Sequence, residues 1–224
     1  MKTDRNAKIA LPGCRQEAKG RPAVSAGRRL GAAGTFLIAL AVLCVLMLPP
    51  GSDSRTEAGG RRYARTLEVY TIPDVVLVNQ DGHKVHLRTL LSSEKPVVVD
   101  FIFGTCTTIC PVLSAGFANL QKTLGPDSHK VHLVSISIDP ENDTPKVMKE
   151  YLKRYGARPG WDFLTGTRGN IDAVTKAFNA SVYNKMSHDL LTFIRDPREG
   201  KWVRIRGMMS TAEFTAECRE AGIL

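Results

Sequence analysis

The chain has 224 residues and a formal net charge of +9. A length of this order predicts one domain with additional segments. The charge is concentrated in residues 1–29, where eight Lys or Arg against two acidic residues give +6 and leave only +3 for the remainder. A basic surface for nucleic acid is therefore not supported, and we expect no nucleic-acid partner.

The next segment is apolar and carries no charged residue: residues 30–48, LGAAGTFLIALAVLCVLML. As a helix it would be about 28 Å long, close to the ~30 Å hydrocarbon core of a membrane. The basic flank predicts a cytoplasmic N-terminus and a periplasmic or otherwise extracytoplasmic remainder. A cleaved signal peptide is the alternative, but Pro49-Pro50-Gly51 stands where a cleavage site with small residues would be expected. We predict a basic cytoplasmic tail at 1–29, a single transmembrane anchor at 30–48, a polar linker at 49–66 and one domain at 67–224.

The first part of that domain shows strand patterns followed by a helix. Two runs, Val75–Val78 and Lys84–Leu87, flank an Asp-Gly turn and predict a β-hairpin. The continuous apolar run Val97–Phe103 predicts a central strand that is buried on both faces. Leu113, Phe117, Leu120 and Leu124 then recur at helical spacing, and Gly-Pro ends the helix.

The second part alternates strand and helix and ends in a hairpin and a helix. A β-rich run, Val131–Ile138, precedes Thr144-Pro145, which predicts a helix start. Asn170 is predicted to cap a further helix, and Ser210 to open the last one as part of a capping box. Short strands at about 190–194 and 202–205 make the late hairpin. The order predicts an α/β thioredoxin-like fold with an N-terminal hairpin, preceded by the single transmembrane helix.

The central strand leads into two cysteines, Cys106 and Cys110, followed by Pro111 and the helical pattern. A helix N-terminus favours the thiolate over the thiol. If both cysteines lie in the first turn, they share one helical face, near the upper limit of the Cα separation that a disulfide tolerates, about 4.4–6.8 Å. One close pair among five cysteines indicates a catalytic or metal arrangement and not a disulfide scaffold. The pair therefore suits either a soft-metal site or a redox couple.

A metal site would need a third ligand. Two thiolates and an imidazole suit Cu(I), whereas a closed zinc site would require a fourth ligand. Of the five histidines, His188 lies just before the late hairpin, at a junction that faces the cysteine helix in a thioredoxin-like sheet. Its neighbour Asp189 is a candidate to orient the imidazole. Asp139 ends the second strand at the same edge and is a candidate to modulate thiol protonation.

These motifs, in this order and behind one predicted anchor, resemble the Sco/SenC family of membrane-anchored, thioredoxin-like copper-binding proteins. The resemblance rests on the CxxxCP motif at Cys106–Pro111, the DPxxDTP segment at Asp139–Pro145 and His188, and covers about residues 75–206. It implies that Cys106, Cys110 and His188 are copper ligands. It also implies a role in assembling the dinuclear copper centre of cytochrome c oxidase, with an oxidase subunit as the copper-accepting partner.

The segments around the ligands depart from the family pattern. Thr107-Thr108-Ile109 lies between the cysteines, where the family often has Pro and Asp. Ser187 precedes the histidine and Asp189 follows it, whereas the family histidine usually follows Asp and precedes Ser. Two functional hypotheses result. The first is a metallochaperone for Cu(I), with Cu(II) left open. The second is a thiol–disulfide oxidoreductase in which Cys106 and Cys110 are a redox-active pair that can form a disulfide.

Overall fold

The computed structural model describes residues 62–224, which form a mixed eight-stranded sheet in the order β1-β8-β7-β4-β5-β6-β2-β3 with helices packed against it. The strands are β1 (Tyr63–Glu68), β2 (Val76–Asn79), β3 (Lys84–His86), β4 (Val97–Ile102), β5 (His132–Ser137), β6 (Trp161–Thr165), β7 (Leu191–Arg195) and β8 (Trp202–Gly207). The helices are α1 (Leu87–Leu91), α2 (Cys110–Leu124), α3 (Pro145–Arg154), α4 (Arg168–Ala177) and α5 (Thr211–Glu220), with short 3₁₀ turns at Gly125–Lys130 and Lys185–Ser187.

The centre of the sheet determines where the loops of interest meet. Every residue of β4 is buried, which confirms the predicted central strand. β4 and β5 run parallel and end side by side, with Ile102 opposite Ser137. β7 runs antiparallel to β4, with Thr192 opposite Asp100, so β7 begins at the edge where β4 ends. The segments after β4, after β5 and before β7 therefore share one edge of the sheet.

The helix starts follow the capping chemistry of the sequence in two of the three predicted cases. The Thr144 hydroxyl accepts the backbone N–H of Val147 and α3 begins at the proline that follows, as predicted. Ser210 opens α5 with the predicted capping box. The predicted cap at Asn170 is wrong. Its own N–H is donated to the hydroxyl of Thr167, whose backbone is extended, so α4 begins three residues earlier than expected.

The early and late hairpins are both present as predicted. β2 pairs antiparallel with β3, and β7 pairs antiparallel with β8. One strand was not expected: β1 pairs with β8 at the edge of the sheet, and residues 63–66 of the predicted linker belong to it. Within residues 62–224 no helix is both long and apolar enough to cross a membrane. The predicted tail, anchor and first part of the linker lie outside the described residues and stay predictions.

Candidate metal and thiol site

Three potential ligands converge at the shared sheet edge. The sulfur atoms of Cys106 and Cys110 and a ring nitrogen of His188 all lie within 4.8 Å of one another, and the Cys110 Sγ is 3.5 Å from the His188 Nε2. The three side chains are 7%, 0% and 8% exposed, so the cluster is shielded from solvent. Among residues 62–224 it is the one such group of three or more histidine, cysteine or acidic side chains.

The two cysteines occupy different kinds of structure. Cys110 is the first residue of α2, whereas Cys106 lies in the preceding loop, where its N–H donates to the Phe103 carbonyl at 3.2 Å. The expectation that both sulfurs share one face of a helix is therefore wrong. The turn after β4 delays the helix by four residues, and the thiols approach each other across the loop–helix junction. Both are free thiols in this structure.

The two thiols differ in acidity. For Cys106, burial raises the pKa, but hydrogen bonds from the Cys110 thiol and from the backbone N–H groups of Cys110 and Thr108 outweigh it, and the pKa falls to about 7. For Cys110, burial and the hydrogen bond with Cys106 raise the pKa well above its usual range. Near neutral pH Cys106 is therefore in equilibrium between thiol and thiolate, whereas Cys110 remains a thiol.

His188 follows the 3₁₀ turn Lys185–Ser187 and packs edge-on against the Phe103 ring, with centroids 5.7 Å apart. Burial lowers the pKa of His188, so its imidazole is neutral and able to bind a metal. The Asp189 carboxylate does not bond the ring. It binds the Arg206 guanidinium at 2.6 Å, and within the described residues the Nδ1 of His188 has no hydrogen-bond partner.

Asp139 lies at the expected edge but acts on the histidine side of the site. Its carboxylate accepts hydrogen bonds from the side-chain amide of Asn142 and from the ammonium of Lys185, the latter at 2.5 Å. Lys185 opens the turn that precedes His188. Asp139 therefore holds the segment that carries the imidazole, and no hydrogen bond joins it to either thiol in the described part of the chain.

Two buried aspartates near the site were not identified from the sequence. Asp143 is 0% exposed, and its carboxylate accepts the Gly104 N–H at 3.0 Å and the Ser137 hydroxyl at 2.5 Å. Asp100 is also 0% exposed, and among residues 62–224 neither of its oxygens has a hydrogen-bond partner. In the sequence, Asp143 is visible only as a member of the DPxxDTP segment that precedes a predicted helix start. The signal for Asp100 was a charged residue in the middle of an otherwise apolar strand.

The donor set fits a soft metal ion. Sulfur and imidazole ligands favour Cu(I) over hard cations such as magnesium or calcium, and a closed zinc site would need a fourth ligand. A buried pocket also slows access of water and of competing ligands. The same two thiols suit disulfide exchange, because the pKa of Cys106 lies near neutral pH and Cys110 lies next to it.

Known proteins are similar to this chain in sequence. The family model described as SCO1/SenC matches residues 66–221. The SCO1 protein homolog of Bacillus subtilis is 37% identical over 134 residues, covering 58% of this chain and 68% of that protein. Protein SenC of Rhodobacter capsulatus is 27% identical over 179 residues, covering 76% of this chain and 79% of that protein.

Solved structures agree in fold. BsSco, described as a member of the Sco family of cytochrome c oxidase assembly proteins with a disulfide switch, is 31% identical, with a TM-score of 0.57 over 70% of this chain and 95% of that one. ScoI of Bradyrhizobium japonicum, solved with copper bound, is 26% identical, with a TM-score of 0.56 over 69% of this chain and 99% of that one. These matches confirm the thioredoxin-like Sco fold, and the match across residues 66–221 places the chain in the SCO1/SenC family.

Proposed function

We propose that this protein is an extracytoplasmic copper metallochaperone in which Cys106, Cys110 and His188 hold the copper. The observation that carries the proposal is the buried cluster of two sulfurs and one imidazole nitrogen within 4.8 Å. Because the pKa of Cys106 is lowered to about 7 and the imidazole is neutral, Cys106 and His188 need to release few protons before they bind Cu(I) near neutral pH. The Cys110 thiol, whose pKa is raised, must lose its proton.

Delivery would proceed by ligand exchange, with the acceptor's ligands replacing those of this chain one at a time. The predicted anchor at residues 30–48 would keep donor and acceptor in one membrane and so raise their effective concentration. We propose a single-pass topology with a cytoplasmic N-terminus and the domain outside the cytoplasm. BsSco is named for cytochrome c oxidase assembly and ScoI was solved with copper, which supports an oxidase copper site as the destination.

A second function is supported by the unequal acidity of the thiols. The Cys106 thiolate would attack a partner's disulfide, forming a mixed disulfide and releasing one partner thiolate. Cys110, after losing its proton to solvent, would attack the Cys106 sulfur and release the second partner thiolate. The partner's disulfide gains two electrons and this chain is left with a Cys106–Cys110 disulfide. Such a step would prepare the cysteines of a copper site for loading.

The first experiment is a Cu(I) competition between the reduced full-length protein and a chromogenic chelator. One tight equivalent per chain, lost in Cys106→Ala/Cys110→Ala, is expected. Cys218→Ala is the matched control, because this third buried cysteine lies in α5 and outside the cluster. If the wild type fails to compete, or if the double variant binds as well as the wild type, the chaperone proposal is wrong and the exchange activity becomes the better account.

A further inference from the structure

The loop that carries Cys106 is fastened to the rest of the domain by one buried carboxylate. Asp143 accepts the Gly104 N–H through Oδ1 and the Ser137 hydroxyl through Oδ2. Gly104 lies just after β4 and Ser137 is the last residue of β5, so the carboxylate joins the ends of two neighbouring strands. Asp143 is 0% exposed, and water therefore cannot replace either contact at low cost.

The backbone of Gly104 is held on both sides of its Cα. Its N–H is bound by Asp143, and its carbonyl accepts the Arg154 guanidinium at 3.4 Å. Two residues later the Cys106 N–H donates to the Phe103 carbonyl and closes the turn that contains Gly104. Any shift of the Gly104 peptide would therefore move the Cys106 backbone with it.

The contact at Gly104 is also too close for any other residue. A Cβ placed on Gly104 would lie 2.7 Å from the Asp143 Oδ1 and 3.0 Å from a methyl group of Val147. The short approach between backbone and carboxylate thus depends on glycine at this position. Two independent substitutions, one on each partner, can disturb the same contact.

The same β5–α3 loop also reaches the histidine side. The Asp139 N–H donates to the Ser137 hydroxyl oxygen, and the Asp139 carboxylate binds Lys185, three residues before His188. Asp143 and Asp139 therefore sit at the two ends of one loop, one fixing the thiol side and the other the imidazole side. The contacts of these two aspartates differ in burial. The Lys185 side chain that binds Asp139 is 36% exposed, whereas the contacts of Asp143 are enclosed.

We propose that Asp143 is a positioning residue that keeps the Cys106 sulfur at a fixed separation from the Cys110 sulfur. The proposal deepens the proposed function, since both copper binding and disulfide formation depend on the effective concentration of one thiol at the other. Without the carboxylate the turn at Gly104 loses its buried acceptor and samples other conformations. Within the described residues no hydrogen bond joins Asp143 to either sulfur, so its effect on Cys106 would pass through Gly104.

The test has two readouts on the full-length chain. The first is the equilibrium constant for forming the Cys106–Cys110 disulfide against glutathione in copper-free protein, quantified by mass spectrometry on the peptide that carries both cysteines. The second is Cu(I) affinity by chelator competition. In Asp143→Ala both should fall by about tenfold or more, as expected when a preorganised pair is loosened. Gly104→Ala should lower both in the same direction.

Asp143→Asn separates positioning from general stability. Its side-chain oxygen can still accept the Gly104 N–H, so we expect it to restore both values to within about threefold of the wild type. Glu217→Ala is the matched control, since Glu217 is another buried carboxylate with two hydrogen bonds, to Tyr63 and Arg65, but in α5. It should lower the melting temperature and leave both readouts unchanged.

The outcomes divide cleanly. The proposal is supported if Asp143→Ala lowers the disulfide constant and asparagine restores it. It is overturned if Asp143→Ala keeps the wild-type constant, if asparagine fails to restore it, or if Glu217→Ala lowers it equally. Absence of copper binding in the wild type would refute the chaperone function but not this proposal, because the glutathione equilibrium is measured without copper.

Discussion

The buried carboxyl group of Asp100 should make the domain less stable as the pH rises. The side chain is fully buried in β4, and neither oxygen has a hydrogen-bond partner in the part of the chain that the structure describes. Burial raises the pKa of Asp100 from 3.8 to about 7, and the nearby Ser135 hydroxyl opposes this with a smaller effect. That hydroxyl accepts the Trp161 indole N–H and lies outside hydrogen-bonding geometry with Asp100. The folded protein thus holds a proton that the unfolded chain releases at a lower pH.

The size and the sign of the change in the free energy of unfolding follow from proton linkage. A pKa raised by about 3 units corresponds to about 4 kcal/mol, at ~1.4 kcal/mol per unit. Below about pH 4 both states are protonated at this site and no penalty exists. Between about pH 4 and pH 7 the unfolded chain is ionised and the folded protein is not, so the free energy of unfolding decreases as pH rises, and above about pH 7 the full penalty applies.

The assay is urea unfolding of reduced wild type and Asp100→Asn across that pH range. Asparagine cannot ionise, so the stability of the variant relative to the wild type should increase by up to about 4 kcal/mol between about pH 4 and pH 8. Asp196→Asn is the control of opposite sign, because Arg198 lowers the pKa of Asp196. That variant should be less stable than the wild type by a constant amount above about pH 4, and the difference should shrink only as the pH falls below about 4. A pH-independent difference for Asp100→Asn would refute the reasoning.

Three further predictions concern the site and the anchor. His188→Ala should weaken Cu(I) binding about tenfold or more in chelator competition, whereas His132→Ala, at the opposite end of β5, should not; equal affinities would remove His188 from the ligand set. At about neutral pH, iodoacetamide should label Cys106 before Cys110, because only the pKa of Cys106 is lowered, and mass spectrometry showing equal labelling would contradict this. The full-length protein should stay with membranes after a carbonate wash, and release of a shortened soluble product would favour cleavage within the N-terminal segment over an anchor at residues 30–48.

Local chemistry explains what the sequence could predict. The buried run of β4, the caps at Thr144 and Ser210 and the late hairpin each depend on residues within a few positions of one another, and all are confirmed. The convergence of Cys106, Cys110 and His188 was also predicted, because strand ends that share a sheet edge bring their loops together. The family resemblance stated on those residues is confirmed by the match to residues 66–221.

What could not be predicted depends on contacts between distant residues. Whether α2 begins at Cys106 or Cys110 is decided by the turn at Gly104, which Asp143 holds from 39 positions along the chain. The DPxxDTP segment looked like a loop and cap because sequence spacing cannot show which strand end a carboxylate will face. β1 was missed for a related reason: only its pairing with β8 identifies it as a strand.

The two proposed activities use the same pair of thiols but depend on different neighbours, and this allows variants to tell them apart. His188 is a copper ligand in the proposed site, so its removal should weaken copper binding and leave the disulfide equilibrium nearly unchanged. Asp143 sets the separation of the sulfurs, so its removal should weaken both. Asp100 affects the stability of the fold through its buried carboxyl group, and its replacement should change both constants by less than Asp143→Ala does. If His188→Ala abolishes copper transfer but keeps thiol exchange, the wild-type protein carries out both steps with one geometry. It would first reduce its partner's cysteines and then load them with copper.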